Sequence, residues 1–337
     1  MFEQTICYME QLVNQKKIPG ISYAFLTSKE IVKGKIGVKQ QIPKVEEIDE
    51  STLYDMASLT KMICTNTIML KLIESNKLSI DQPLNYYLPE FKDKQVTIRH
   101  LLTHTSGINP YIKNRNDLNK KDLKQAILKL HSDETRGSSV KYTDTGTILL
   151  GFLIEKIYEK NLHDVFQKEV LTPLKMTDSF FTGFDKERAA PTELTTTRGL
   201  IKGEVHDPKA FVLKEHCGSA GLFSTLDDTI KFTQMMLNKG KVAHDVFLNE
   251  KTILSLEQDY TNGNSKARSL GWDLIETNQN NLLYHTGYTG TFIMIDLKKQ
   301  EAFIFLSNRV HPTDNREEYI ELRNHLIEIY LNETTKR

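Results

Sequence analysis

The sequence predicts an α/β (α+β) protein, in which an antiparallel sheet is flanked by N- and C-terminal helices and a mainly helical region is inserted between the strands. Three observations predict it. Strand-like runs cluster near both ends of the 337-residue chain and are joined by short turns. Both ends also carry amphipathic helical patterns, and the middle mixes helical segments with loops. Strands joined by short turns pair antiparallel. Joining the two ends in one sheet gives their apolar faces a shared core.

The elements follow in order. Residues 2–14 place Phe2, Ile6, Met9 and Val13 at helical spacing, and Lys16-Lys17-Ile18-Pro19-Gly20 ends that helix. Runs 21–27 and 31–38 form a hairpin by pattern. From 58 to 74 the chain is apolar on most sides, with Leu59, Met62, Ile63, Ile68, Met69 and Leu72, as a buried helix is. The clearest helices of the middle are 118–130 and 146–158. Thr225-Leu226-Asp227-Asp228 resembles a capping box that opens a helix through about residue 237. Runs 282–284, 291–297 and 302–307 return to strand, with a turn at 296–301. A last helix, 316–331, carries Tyr319, Ile320, Leu322, Leu326 and Ile329 at helical spacing. The sheet region then comprises residues 1–75 and 216–337, and the helical region 76–215.

Composition excludes several classes. Hydrophobic residues at 39% and charged residues at 26% support a folded core. Lys plus Arg and Asp plus Glu are both 44, so no net charge drives binding to nucleic acid or to an anionic membrane. The longest apolar stretch, 148–154, is far below the roughly 20 residues that span a bilayer. Cys7, Cys64 and Cys217 form neither a disulfide framework nor a C-x-x-C pair. The start has no basic n-region and no apolar h-region, so the chain as written reads as cytoplasmic. The histidine pairs His100/His104 and His206/His216 lack the acidic or Cys neighbours of a metal site, and no H-E-x-x-H occurs. His104 and His206 read as residues that order loops.

Ser58-Leu59-Thr60-Lys61 is an S-x-x-K. On a helix, positions i and i+3 share a face, which sets the lysine amine beside the serine hydroxyl. A serine needs a neighbouring base to become a nucleophile, and a lysine serves when burial and the helix start lower its pKa. The Ser58 N–H at the helix start suits an oxyanion. Taken alone, Ser58 is equally a plain N-cap. A second copy, Ser138-Ser139-Val140-Lys141, lies in a polar loop instead. Tyr142-Thr143-Asp144 precedes an apolar helix, where a tyrosine relays a proton or simply packs in the core. Tyr260-Thr261-Asn262 has a similar shape but no buried helix after it. His285-Thr286-Gly287 follows a strand, and its edge and the Tyr288 N–H could border a substrate; an ordinary strand-end histidine fits equally.

In order, S-x-x-K, Y-x-D and H-T-G resemble the motif set of the class C β-lactamase and low-molecular-weight penicillin-binding protein family. So do Asp81-Gln82-Pro83-Leu84 and Arg99-His100-Leu101-Leu102-Thr103-His104-Thr105-Ser106-Gly107. Gly203-Glu204-Val205-His206-Asp207-Pro208 and Gly218-Ser219-Ala220-Gly221-Leu222-Phe223-Ser224-Thr225 extend the resemblance, which runs from about residue 10 to about 310. It implies a β-lactamase/transpeptidase-like fold and a serine hydrolase acting through an acyl-serine, with no metal or cofactor. It implies Ser58 as nucleophile, Lys61 as its base and Tyr142 as proton relay. Asp144, His285, Gly287 and Tyr288 would border the substrate, with the Ser58 and Tyr288 N–H groups as oxyanion hole. Two positions depart from the pattern. Asp144 stands where an Asn is usual, and an ionised carboxylate cannot donate to a substrate carbonyl; it could instead pair with Lys61 and raise that lysine's pKa. His285 stands where Lys is frequent. Both favour an esterase or D-Ala carboxypeptidase-like activity on a small ester, D-amino-acyl peptide or β-lactam-like substrate over an antibiotic-degrading one. The alternative is a penicillin-binding-like protein that binds a ligand or partner without useful turnover. The partner is a small-molecule or peptide substrate, with no nucleic acid, no integral membrane segment and no reading of oligomeric state. Family habit keeps an extracytoplasmic location open.

Overall fold

The computed structural model describes residues 2–261, 263 and 266–335. Seven strands form one antiparallel sheet: β1 Gly20–Leu26, β2 Ile31–Gln40, β3 Glu46–Glu47, β4 Asp273–Glu276, β5 Asn281–Thr286, β6 Phe292–Asp296 and β7 Glu301–Ser307. Their order is β4-β5-β6-β7-β1-β2-β3. The two ends of the chain meet where β1 pairs with β7, Ile21 opposite Ser307 and Leu26 opposite Ala302. This is the sheet the sequence predicts, extended by β3 and β4. Those two edge strands are short and mostly polar, so they carry no apolar alternation to reveal them.

The alternation of side chains sends each strand's residues to two cores. Ile21, Tyr23, Phe25, Phe292, Met294, Phe303 and Phe305 pack on one face under helices α1 Glu3–Asn14 and, near the C-terminus, Arg316–Thr335. Ala24, Leu26, Ile293, Ile295, Ile304 and Leu306 face the larger core on the other side. Phe25 is the centre of the first face, stacked on Phe2 at 4.1 Å and on Phe303 at 4.6 Å. The two terminal helices are tied directly, because the Glu333 carboxylate accepts the Gln4 and Thr5 N–H groups at 2.9 Å each. A carboxylate there satisfies orphan donors and opposes the helix dipole.

The larger core holds α2 Thr67–Glu74, α3 Thr145–Tyr158 and α4 Leu226–Leu237. Thr225 caps α4 by accepting the Asp228 N–H at 3.3 Å. Asp228 does not close the box. Its carboxylate instead accepts from Asp178 N and Ser179 Oγ. The C-terminal helix, α5, runs to Thr335, beyond the expected end. Among the described residues no helix is long and apolar enough to cross a membrane.

The helix expected from Ser58 is not regular. Lys61–Asn66 is π-helical and continues into α2. Thr67 Oγ1 donates to Met62 O at 3.1 Å and Thr65 Oγ1 to Gly218 O at 2.6 Å, which hold this wider turn. Such turns are rare and gather at functional sites.

Candidate active site

Ser58 is presented by a strained turn. The short strand Tyr54–Asp55 pairs with Phe223–Ser224, and the chain then turns at Ala57 with φ +45°. That left-handed backbone costs a non-glycine residue energy and persists where neighbours hold it. Asp55, buried, supplies the hold. Its carboxylate accepts the Ala57 N–H at 2.9 Å and the His206 N–H at 2.7 Å, and its carbonyl accepts from Thr289 Oγ1 at 2.7 Å. Gly287 completes the packing. A Cβ there would lie 2.7 Å from Met56 O and 3.3 Å from the Ala57 Cβ, so only glycine lets the end of β5 lie against this turn.

Lys61 is fully buried. Its Nζ donates to Ser58 Oγ at 2.6 Å, to Asp144 Oδ1 at 2.8 Å and to Ser219 O at 3.1 Å. Burial alone would lower its pKa, but the Asp144 carboxylate, and then the Tyr142 phenol, more than reverse that and raise it. Asp144 is held well below the usual carboxylate range. Burial opposes this, but Lys61 and Lys209 outweigh it, with Lys209 Nζ at 2.6 Å from Asp144 Oδ2. Lys61 is therefore an ammonium in this ground state. A lysine base of depressed pKa, expected from burial and helix position, does not form, because Asp144 supplies a full negative charge at contact.

Tyr142 is 43% exposed and lines the cleft. Its ring centroid lies 5.2 Å from Lys61 Nζ, 5.9 Å from the Arg268 guanidinium and 4.5 Å from the His104 ring. His285 stands behind it at 5.8 Å, only 1% exposed, and does not line the cleft. Burial first, with Lys61 and Arg268 adding and Asp273 opposing, lowers the His285 pKa to about 3. The imidazole is neutral and packs behind Tyr142, out of the cleft. Strand alternation is the reason: the next residue, Thr286, takes the cleft side.

The cleft measures about 390 Å³. Ser58, Tyr142, Asp144, Gly287 and Tyr288 line it together, as do His206 and Asp207. Neither the Ser58 nor the Tyr288 N–H donates to a protein acceptor among the described residues. Arg309 fixes the Tyr288 peptide by donating to its carbonyl from Nε at 3.0 Å and from a terminal nitrogen at 2.7 Å. The competing motifs lie elsewhere. Ser138 is exposed and bonds Thr135 O, while Tyr260 lies beside Arg99 and Asn262 lies outside the described residues.

The β-lactamase family model matches residues 7–326. The chain belongs to the β-lactamase family of serine hydrolases. Within that family it is 29% identical to an N-acetylmuramyl-L-alanine amidase of Bacillus subtilis, over 77% of this chain and 68% of the relative. It is likewise 29% identical to a Salmonella typhimurium protein provisionally named a D-alanyl-D-alanine carboxypeptidase, over 77% and 70%. A solved class C β-lactamase superposes with a TM-score of 0.79 at 18% identity, covering 97% of this chain and 95% of that one. EstCE1, a hydrolase with promiscuous acyltransferase activity, superposes at 0.78 and 19%, covering 96% and 97%.

This β-lactamase-family site also holds residues the motifs did not single out. Lys209 is the counter-charge that an acid at 144 requires, two residues after the Val205-His206-Asp207 segment. Arg316 and Arg323 reach the cleft from α5, seven positions apart on one face together with Tyr319 and Ile320. That spacing was visible as core periodicity, and its charged flank was the unused signal.

Proposed function

We propose that the chain hydrolyses small esters or D-amino-acyl amides through an acyl intermediate on Ser58. The observation that carries this reading is the 2.6 Å hydrogen bond from the buried Lys61 ammonium to Ser58 Oγ at the cleft. The substrate carbonyl oxygen sits between the Ser58 and Tyr288 N–H groups, which stabilise the charge of the tetrahedral intermediate. Ser58 Oγ attacks as its proton passes to the Tyr142 hydroxyl, which relays a proton onward. Tyr142 then delivers the proton to the leaving group, so the acyl–heteroatom bond breaks with a neutral leaving group. Water attacks the ester on Ser58 with Tyr142 taking its proton and returning it to Ser58. Lys61 keeps its proton throughout and offsets charge on the serine oxygen.

One end of the cleft suits an anion. Arg316 and Arg323 make no ion pair among the described residues, and Arg323 Nε is buried without a partner. A substrate carboxylate there fits the chemistry in the names of the amidase and carboxypeptidase relatives.

Intact-protein mass spectrometry with a penicillin and with a short ester, on wild type and Ser58→Ala, tests the reading. Adduct or turnover that depends on Ser58 supports it, and activity that survives the substitution sinks it. Asp144 favours a second reading, ligand binding without useful turnover, because it denies Ser58 a neutral amine. A burst of acylation with no steady state would identify that case.

A further inference from the structure

A second cavity of about 550 Å³ lies beside the catalytic cleft. Phe181, Phe184, Val205, Ala210, Phe211 and Phe223 make it apolar. Charged groups also line it, and ion pairs neutralise Glu204 with Lys186 at 2.9 Å and Glu215 with Lys120 at 2.6 Å. Phe211 is left 42% exposed, with the Arg198 guanidinium 4.0 Å from its ring centroid.

Ala220 lines both cavities. Its place is fixed by the nucleophile turn. Lys61 Nζ holds the Ser219 carbonyl, Thr60 Oγ1 accepts the Leu222 N–H at 3.2 Å, and Met56 N donates to Leu222 O at 2.9 Å. The strip 219–222 therefore runs along the turn that presents Ser58, and at residue 220 a methyl group is all the side chain that stands between the two spaces. Along the same partition His206, Asp207 and Pro208 face the cleft while Val205 and Ala210 face the second cavity. Arg316 and Arg323 line the same cleft, so the site is bordered by both a cationic surface and an apolar space.

We infer that the second cavity receives an apolar acyl group of the substrate, an aryl or medium-length alkyl chain, while its carbonyl is attacked by Ser58. The inference rests on the acyl-serine reading proposed above. In the first step the Ser58 Oγ–acyl carbon bond forms, the ester carbon–oxygen bond breaks, and the alcohol leaves with the serine's proton. Each methylene that the cavity buries raises kcat/KM about fourfold, the factor equivalent to its transfer from water.

The test is kcat/KM for p-nitrophenyl acetate, butyrate and octanoate with wild type, Val205→Trp and Thr182→Trp. Thr182 is exposed on the cavity wall, so its substitution tests the filling of the cavity without disturbing the core. The expected result is a rise of at least about tenfold from acetate to octanoate in wild type, and a fall of that ratio by about tenfold in both variants. Turnover with a flat chain-length series, or a ratio that neither variant moves, overturns the cavity's role and leaves the acyl-serine reading standing. Absence of turnover of all three esters overturns both.

Discussion

Lys61 Nζ lies 2.8 Å from Asp144 Oδ1, with the lysine fully shielded from solvent. A buried charge that loses its partner is costly, and a charge pair resets the titration of both members. Asp144→Asn keeps the shape and an acceptor oxygen but removes the negative charge that reverses the effect of burial on Lys61. The variant is expected to be less stable by about 1–3 kcal/mol at pH 7 in urea unfolding. The acid's pKa is depressed, so its contribution is present above about 3.9 and disappears as pH falls further. The lysine's pKa is raised, so its contribution is full below about 10.4 and disappears as pH rises beyond. The difference between wild type and variant should therefore be flat from about pH 4 up to the pH at which Lys61 of the variant, no longer held up by the acid, starts to lose its proton, and should shrink above it. Because Lys61 then titrates lower, acylation by penicillin should fall off at a lower pH in the variant than in wild type, as the ammonium that offsets charge on the serine oxygen is lost; an acylation profile that matches wild type from about pH 6 to about pH 10 would count against the pair as the control on Lys61.

Gly287→Ala tests how the sheet positions the nucleophile. The added methyl would lie 2.7 Å from Met56 O and 2.2 Å from Thr291 Oγ1, closer than atoms approach without a shift. The end of β5 must move away from the Ser58 turn by a fraction of an ångström to an ångström. Displacements of that size at reacting groups cost about 10²-fold in rate, and overpacking costs about 1–3 kcal/mol of stability. Ester turnover and thermal unfolding measure the two effects. Wild-type turnover in the variant would show that the Tyr288 N–H and Ser58 need no such register.

The large features of this protein were legible because they rest on periodicity. β1, β7 and the terminal helices alternate or repeat apolar residues at the spacing of their faces, and their sheet follows from where those runs fall. Ser58, Lys61 and Tyr142 were legible as spaced motifs, and the structure brings them to one place. What was not legible depends on three-dimensional charge. The pairing of Asp144 with Lys61 was open as one of two alternatives, and Lys209, which decides it, is 65 residues away in sequence (144 to 209). His285 reads as a strand-end residue at the substrate, yet one step of strand alternation turns it inward behind Tyr142. The left-handed turn at Ala57 left no trace, because alanine gives no hint of positive φ.

Arg316→Ala with Arg323→Ala should separate charged from neutral substrates. Both side chains flank the cleft, and neither spends its charge on a protein carboxylate among the described residues. A hydrogen bond to a charged partner contributes about 1.5–3 kcal/mol. The double variant is expected to lose about 10–100-fold in kcat/KM toward a substrate with a free carboxylate and less than about threefold toward a neutral ester. The wild-type preference should also weaken as salt rises, since part of this attraction crosses solvent. Equal losses on both substrates would mean that the arginines shape the cleft rather than read a charge.

Acid should unfold this protein partly through its neutral histidines. His285 is buried among Asp273, Lys61 and Arg268 with its Nδ1 3.0 Å from Thr286 O, and its pKa is lowered to about 3. His104 is also held well below its usual value, by burial first and then by Arg268 and Lys61. In the unfolded chain both titrate near about 6.5. Between about pH 6.5 and pH 3, then, the unfolded state binds a proton at His285 that the folded state does not. Stability rises with pH across that window and falls on acidification by about 1.4 kcal/mol per pH unit for each such histidine. His285→Asn removes one of the two contributions and leaves His104 in place. Urea unfolding at pH 7, 6 and 5 should therefore show a slope shallower than wild type by about 1 kcal/mol per unit below pH 6. An identical slope would mean that His285 accepts its proton within the folded state, and that the ring behind Tyr142 is charged under mildly acidic conditions.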